Sequence, residues 1–213
     1  MAKSVYLAAM ASTVAIVLFV FFFAQFAETQ RVAKYGEEIR QISLESEFQS
    51  AYSDFDSSNK EVYCTLVNES IKNVSNRLSV LEKSLQTYKN NSFNSDEFYF
   101  AKKSYLLTSM ILYRNLEKAK VTCDLNIKTV LFFYAEDKSC EVECGTIGAQ
   151  LDSLSRDCNT FKNFNYPYNW PAYNFIKILE VKYGVKKPGI LVVDGELVTS
   201  PSMDSLKSTL GCN

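Results

Sequence analysis

Apolar positions change their spacing three times along the chain. Residues 5–27, VYLAAMASTVAIVLFVFFFAQFA, hold 23 uncharged positions in a row. As a helix rising ~1.5 Å per residue they would span ~35 Å, against a hydrocarbon core of ~30 Å. The run is too long for the core of a signal peptide, and AQFA is a poor cleavage site,. Residues 1–27 are therefore expected to be an N-terminal transmembrane anchor. From Glu28 to Tyr52 the spacing loosens to a rough stripe through Val32, Tyr35, Ile39, Ile42 and Phe48, which predicts a polar, helical stalk,.

The second pattern is a heptad seam. Val67, Ile71, Val74, Leu78, Leu81, Leu85 and Tyr88 alternate spacings of four and three, as a helix packed along one stripe requires,. NNSFNSDE interrupts it, with Asn94 and Glu97 placed as a capping box,. A second helix is predicted from about Ser95 to Ala119, with Phe98, Ala101, Tyr105, Thr108 and Leu112 turned inward. The short connection makes the two helices antiparallel, so residues 28–123 read as a stalk and an α-helical hairpin spacer. Cys64 and Cys123 then arrive together at the open end of the hairpin, where a disulfide would stabilise by about 4 kcal/mol through loop closure.

After Asp124 the heptads give way to short apolar runs. TVLFFYAE and TFKNFNYPY read as strands, and CGTIGAQLDSLSRDC and PAYNFIKILEVKYGV as helices, the latter with Pro171 in its first turn,. GILVVDG with ELVTS reads as a hairpin about Asp194 and Gly195, and SMDSLKSTLGC as a closing helix,. This βαβαββα order implies a parallel pair joined by a right-handed crossover, then an antiparallel hairpin, with helices on both faces of a mixed sheet over residues 124–213. The aromatic run from Phe161 to Tyr173 fits strand-end packing better than a binding surface,.

Composition narrows the chemistry. The chain has no histidine, which removes the commonest general base, histidine-activated nucleophiles and most zinc and copper sites,. With 23 basic and 24 acidic residues there is no nucleic-acid signal,. No cofactor and no metal is expected, since the cysteines have no further soft ligands near them in sequence. The positive-inside rule is close to a draw across the apolar run, with Lys3 before it and Arg31, Lys34 and Arg40 after it,. The six cysteines tip the placement toward an oxidising compartment,. The expectation is a single-pass cell-membrane protein whose N-terminus is cytoplasmic, whose helix contacts membrane lipid, and whose C-terminal domain is extracytoplasmic. Glycosylation sequons at Asn68, Asn73 and Asn90 are no more than a chain rich in Asn and Ser supplies by chance,.

The element order, the strand LFFYAE before a cysteine pair in DKSCEVECGTIG, and the segment KYGVKKPGILVVDGE together resemble the thioredoxin-like fold family. The whole chain is similar to membrane-tethered archaeal-type thioredoxin-domain proteins, with an anchor and helical spacer before the domain. The resemblance implies an α/β thioredoxin-like domain, with Cys140 as the attacking sulfur and Cys144 as the resolving one. It also implies that Pro188 is a cis-proline shaping a substrate groove. It further implies a structural bridge from Cys158 to Cys212, since the two helices that end there run side by side, and that bridge would also be worth about 4 kcal/mol.

The sequence departs from the family at the site. Three residues separate Cys140 from Cys144 instead of two, Ser139 replaces the family's tryptophan, and Phe132 stands where many members bury an acid. Glu136, Asp137, Glu141 and Glu143 crowd the pair against Lys138 alone, and like charge raises a thiol pKa,. A bridge between Cys140 and Cys144 closes so small a loop that it is worth only about 2 kcal/mol, too little to explain it as a staple. The expected function is therefore thiol–disulfide exchange on exported or membrane proteins, slower than in cytosolic reductases. The alternative is a non-catalytic adaptor or scaffold built on the same fold.

Overall fold

The computed structural model describes residues 60–90, 95–170, 174–199 and 201–212, and upstream of these 10, 12–27, 29–30, 37, 40 and 44. Among the described residues no helix is long and apolar enough to cross a membrane. The expectation of a transmembrane helix over 1–27 is corrected accordingly. The stalk falls largely outside the described residues, as do Asn94 and Pro171 of the two expected helix starts.

Helices α1 (Lys60–Asn90) and α2 (Ser95–Cys123) form the hairpin. The seam positions Val67, Val74, Leu78 and Leu81 of α1 are buried, as the heptad spacing requires,. In α2 the inward set Ala101, Thr108 and Leu112 is buried, but so are Ser104, Leu106, Ser109, Tyr113 and Leu116. A helix facing only α1 would leave that second group to water. It is buried because α2 lies between α1 and a sheet, and Ser109 bonds across to the hydroxyl of Tyr166 at 3.3 Å. The hairpin is thus one wall of the core and not a free-standing spacer.

The sheet has four strands, β1 (Lys128–Tyr134), β2 (Phe161–Pro167), β3 (Ile190–Val193) and β4 (Glu196–Val198). Their order is β2-β1-β3-β4. Strands β1 and β2 are parallel with Lys128 opposite Phe161, and β3 is antiparallel to both β1 and β4. The crossover between β1 and β2 is helix α3 (Glu141–Asp157), and β2 reaches β3 through α4 (Asn174–Tyr183). Helix α5 (Met203–Leu210) closes the chain, with Ser202 accepting from the Ser205 amide at its start and Gly211 left-handed at its end,.

Period-two alternation divides the strands between two cores. Leu131, Phe133, Phe164, Tyr166, Ile190 and Val192 pack with the hairpin and α4. Val130, Phe132, Phe161, Leu191 and Val193 pack with α3 and α5. Phe133, Phe164 and Tyr166 are wholly buried, each worth roughly 1.5–3 kcal/mol of transfer free energy,. The turn between β3 and β4 is Asp194–Gly195, both at positive φ, the conformation a two-residue hairpin needs,. The Asp194 carboxylate accepts from the Thr129 amide at 2.9 Å and from Lys120 of α2 at 2.6 Å, which ties the hairpin turn to the end of α2.

Candidate functional site

Strand β1 leaves the sheet at Tyr134 and the chain crosses its upper edge through Ala135, Glu136 and Asp137. A single 3-10 turn, Lys138–Cys140, follows, capped by the Asp137 carboxylate on the Ser139 amide at 2.9 Å. Hydrogen bonds from Ser139 hold the Asp137 carboxyl below its ordinary range,. Cys140 is the residue before α3, and Cys144 stands one turn inside it. The two are joined in a disulfide. The third intervening residue is absorbed as helix: a separation of four places the sulfurs one above the other on one face. Cys140 consequently stays at the helix N-terminus, the end at which the helix dipole favours negative charge,.

The bridge is 5 % exposed at Cys140 and 8 % at Cys144. Beneath it lie Phe132 and Ile147 of the same apolar cluster, with Phe132 in the strand position where many family members bury an acid. Tyr134, beside this cluster, has its hydroxyl pKa pushed up to about 12 by burial and stays protonated at neutral pH,.

Two contacts around the bridge were not legible in the sequence. The first is Gly189. A Cβ built on it would lie 3.1 Å from the Cys140 sulfur and 3.2 Å from the Glu143 carboxyl carbon. Its φ is +79°, and its amide donates to the Phe133 carbonyl at 2.8 Å, which anchors the start of β3 beside β1. Only glycine takes this backbone without strain and leaves room for the sulfur. The expectation of a cis-proline at Pro188 is corrected: no described peptide bond is cis. The trans form is favoured by about 0.5–1 kcal/mol for a residue before proline, and the left-handed Gly189 supplies the change of direction instead.

The second is Lys102 of α2. Its ammonium pairs with Glu136 and lies 5.7–5.8 Å from the ring centres of Phe98, Tyr134 and Trp170,. One of the four crowding carboxylates is thereby neutralised and another, Asp137, is used as a cap. Glu141 and Glu143 remain exposed in the first turn of α3.

The other two disulfides sit away from this edge. Cys64–Cys123 joins the start of α1 to the end of α2 across 59 residues, next to an ion pair of Lys60 with Asp124 at 2.6 Å. Cys158–Cys212 joins the ends of α3 and α5 across 54 residues, and Thr160 beside it donates to the Leu210 carbonyl at 2.8 Å. No cysteine is free. Of the aromatic run after Phe161, Phe161, Phe164, Tyr166 and Trp170 are buried, and Tyr173 lies outside the described residues.

A cavity of about 550 Å³ opens beside Cys144, between Tyr105, Phe132, Tyr134 and the side of α3 that carries Gly145 and Gly148. It continues into a second of about 450 Å³ along β2, reaching Cys158, and Tyr105, Asp152 and Asn165 line both. Comparison with family models, with curated proteins and with solved structures finds no match to the chain.

Proposed function

We propose that the chain carries a thioredoxin-like domain over residues 124–213 and performs thiol–disulfide exchange on protein substrates through Cys140 and Cys144. The observation that supports this most is the placement of the bridge. It lies at the first turn of the crossover helix of a parallel strand pair, on an apolar bed, with the left-handed Gly189 beside the Cys140 sulfur. Three disulfides in one chain favour an oxidising compartment,.

With the bridge formed, a substrate thiolate attacks the Cys140 sulfur. The Cys140–Cys144 bond breaks, and Cys144 leaves as a thiolate that takes up a proton from solvent. A second substrate thiolate then attacks the substrate sulfur of the mixed disulfide and releases Cys140 as a thiolate. The substrate has lost two electrons and two protons to form a disulfide, and the chain is left as a dithiol. The reverse sequence reduces a substrate disulfide. The amides at the start of α3 stabilise the Cys140 thiolate, while Glu141 and Glu143 oppose it.

The test is the full-length protein equilibrated in graded dithiothreitol buffers, with thiols at 140 and 144 read by alkylation and mass. A potential above about −300 mV, together with trapping of a mixed disulfide on Cys140 in the Cys144→Ser variant, is the expected result. A lower potential with no trapped adduct would sink the exchange reading and leave the adaptor.

A further inference from the structure

Strand β2 is an edge of the sheet. In its parallel ladder with β1 the Lys128 amide donates to the Thr160 carbonyl, and the Tyr168 amide to the Tyr134 carbonyl. Backbone groups alternate in direction along a strand, so residues 162, 164 and 166 face β1 and residues 161, 163 and 165 face away from it,. Among the described residues nothing pairs with those outward amides and carbonyls. Pro167 ends the set, because it has a carbonyl and no N–H,.

This free edge does not face open solvent. It runs along the floor of the groove that leads from Cys158 to Cys144, between Leu78 and Glu82 of α1 on one side and Gly148 and Asp152 of α3 on the other. Gly145 and Gly148 leave that side of α3 without side chains, and a Cβ on Gly145 would meet nothing within 4 Å. The Asn163 side-chain oxygen is buried and, among the described residues, has no hydrogen-bond partner, while its side-chain amide donates to the Asn165 side-chain oxygen at 3.0 Å. An acceptor left unsatisfied in this way is costly unless something donates to it. The walls carry Glu82, Asp137, Glu141 and Asp152 against Lys138 and Lys162, with Glu136 already paired to Lys102.

We infer that this groove binds one extended, cationic polypeptide segment of a partner protein, added as a further strand on the outward edge of β2. Backbone pairing to residues 161, 163 and 165 supplies the affinity, and lysine or arginine side chains meet the wall carboxylates. A second copy of this chain fits less well. Its β2 is recessed between the same two helices, and its carboxylates would face their own kind. Binding is independent of exchange activity, since the groove is open with the disulfide formed.

The experiment uses the oxidised full-length protein and a short, end-blocked peptide of alternating lysine and valine, followed by fluorescence anisotropy and residue-resolved amide exchange. Binding is expected to protect the amides of Phe161, Asn163 and Asn165 and to leave residues 162, 164 and 166, already paired, unchanged. The Asn163→Pro variant removes an outward N–H without touching the ladder to β1, and should weaken binding about fivefold or more. The same peptide N-methylated on alternate residues gives the same reading on unaltered protein. Glu82→Lys with Asp152→Lys should erase the preference over a glutamate-for-lysine peptide. Equal binding of the N-methylated and plain peptides, absence of the alternating protection, or protection of the same amides by self-association without peptide would overturn the inference.

Discussion

The two faces of the sheet are held by different means. On one face the long α1–α2 hairpin and α4 bury Phe133, Phe164, Tyr166 and Ile176 in a broad apolar cluster. Its polar groups pair across elements, as Tyr113 does with Tyr183 and Lys120 with Asp194. On the other face, among the described residues, α3 and the short α5 cover the sheet, and a disulfide sits at each end of α3. The thick face depends on burial and the thin face on covalent closure. At the thin face the two bridges differ in turn: the one at the far end restrains 54 residues, whereas the one at the groove restrains four. The chain-entropy term assigns stability to the first and leaves the second free to open with little loss.

Removing the far bridge is the strongest way to break this comparison. Cys158→Ala with Cys212→Ala should cost about 4 kcal/mol in urea unfolding of the oxidised protein, against about 2 kcal/mol for Cys140→Ala with Cys144→Ala. Equal losses would mean that both are staples. Next in size is Gly189→Ala, which combines a positive φ with a contact on the Cys140 sulfur and should cost roughly 2 kcal/mol,. Gly145→Ala, within α3 and with open space around it, should instead stabilise by up to about 1 kcal/mol,. On the thick face Tyr113→Phe removes the hydroxyl pair with Tyr183 and should cost about 1 kcal/mol by thermal or urea unfolding, with the bridges intact,.

The smallest effect is one of pH. Burial pushes the Asp194 carboxyl up, but the hydrogen bonds from Lys120 and the Thr129 amide, with the charges of Lys120 and Lys128, outweigh it and hold the group below its ordinary range. A depressed carboxylate stabilises the fold above its unfolded pKa, near 3.9, and that contribution is lost as pH falls through the folded value. Because the pair is partly exposed, the effect should stay below about 1 kcal/mol,. Comparing unfolding free energies at pH 6 and pH 3 for the protein and for Asp194→Asn isolates it: the acid-side loss should be smaller in the variant.

The heptad seam from Val67 to Leu81 could be read directly, because a repeat of four and three reports one buried stripe. The continuous apolar runs VLFF and ILVV likewise carried strands buried on both sides,. The second buried side of α2 could not be read. Leu106, Ser109, Tyr113 and Leu116 fill positions that look like a mixed surface until the sheet is laid against them. At the site, Cys140 and Cys144 stood out by type and spacing. Gly189 and Lys102 did not, since one is a glycine after a proline and the other a lysine among polar helix positions.

The sequence by itself determined the local periods, the turn at Asp194 and Gly195, and which end of the hairpin Cys64 and Cys123 share, because each depends on residues within one element or one short connection. Tertiary structure decided that the hairpin walls the sheet and that Lys102 neutralises Glu136. It also decided that Gly189 and not a cis-proline meets Cys140, and that the edge of β2 lies open between two helices. These depend on which surfaces approach across long stretches of chain, and a pattern of apolar and polar positions states which faces are buried without stating what buries them.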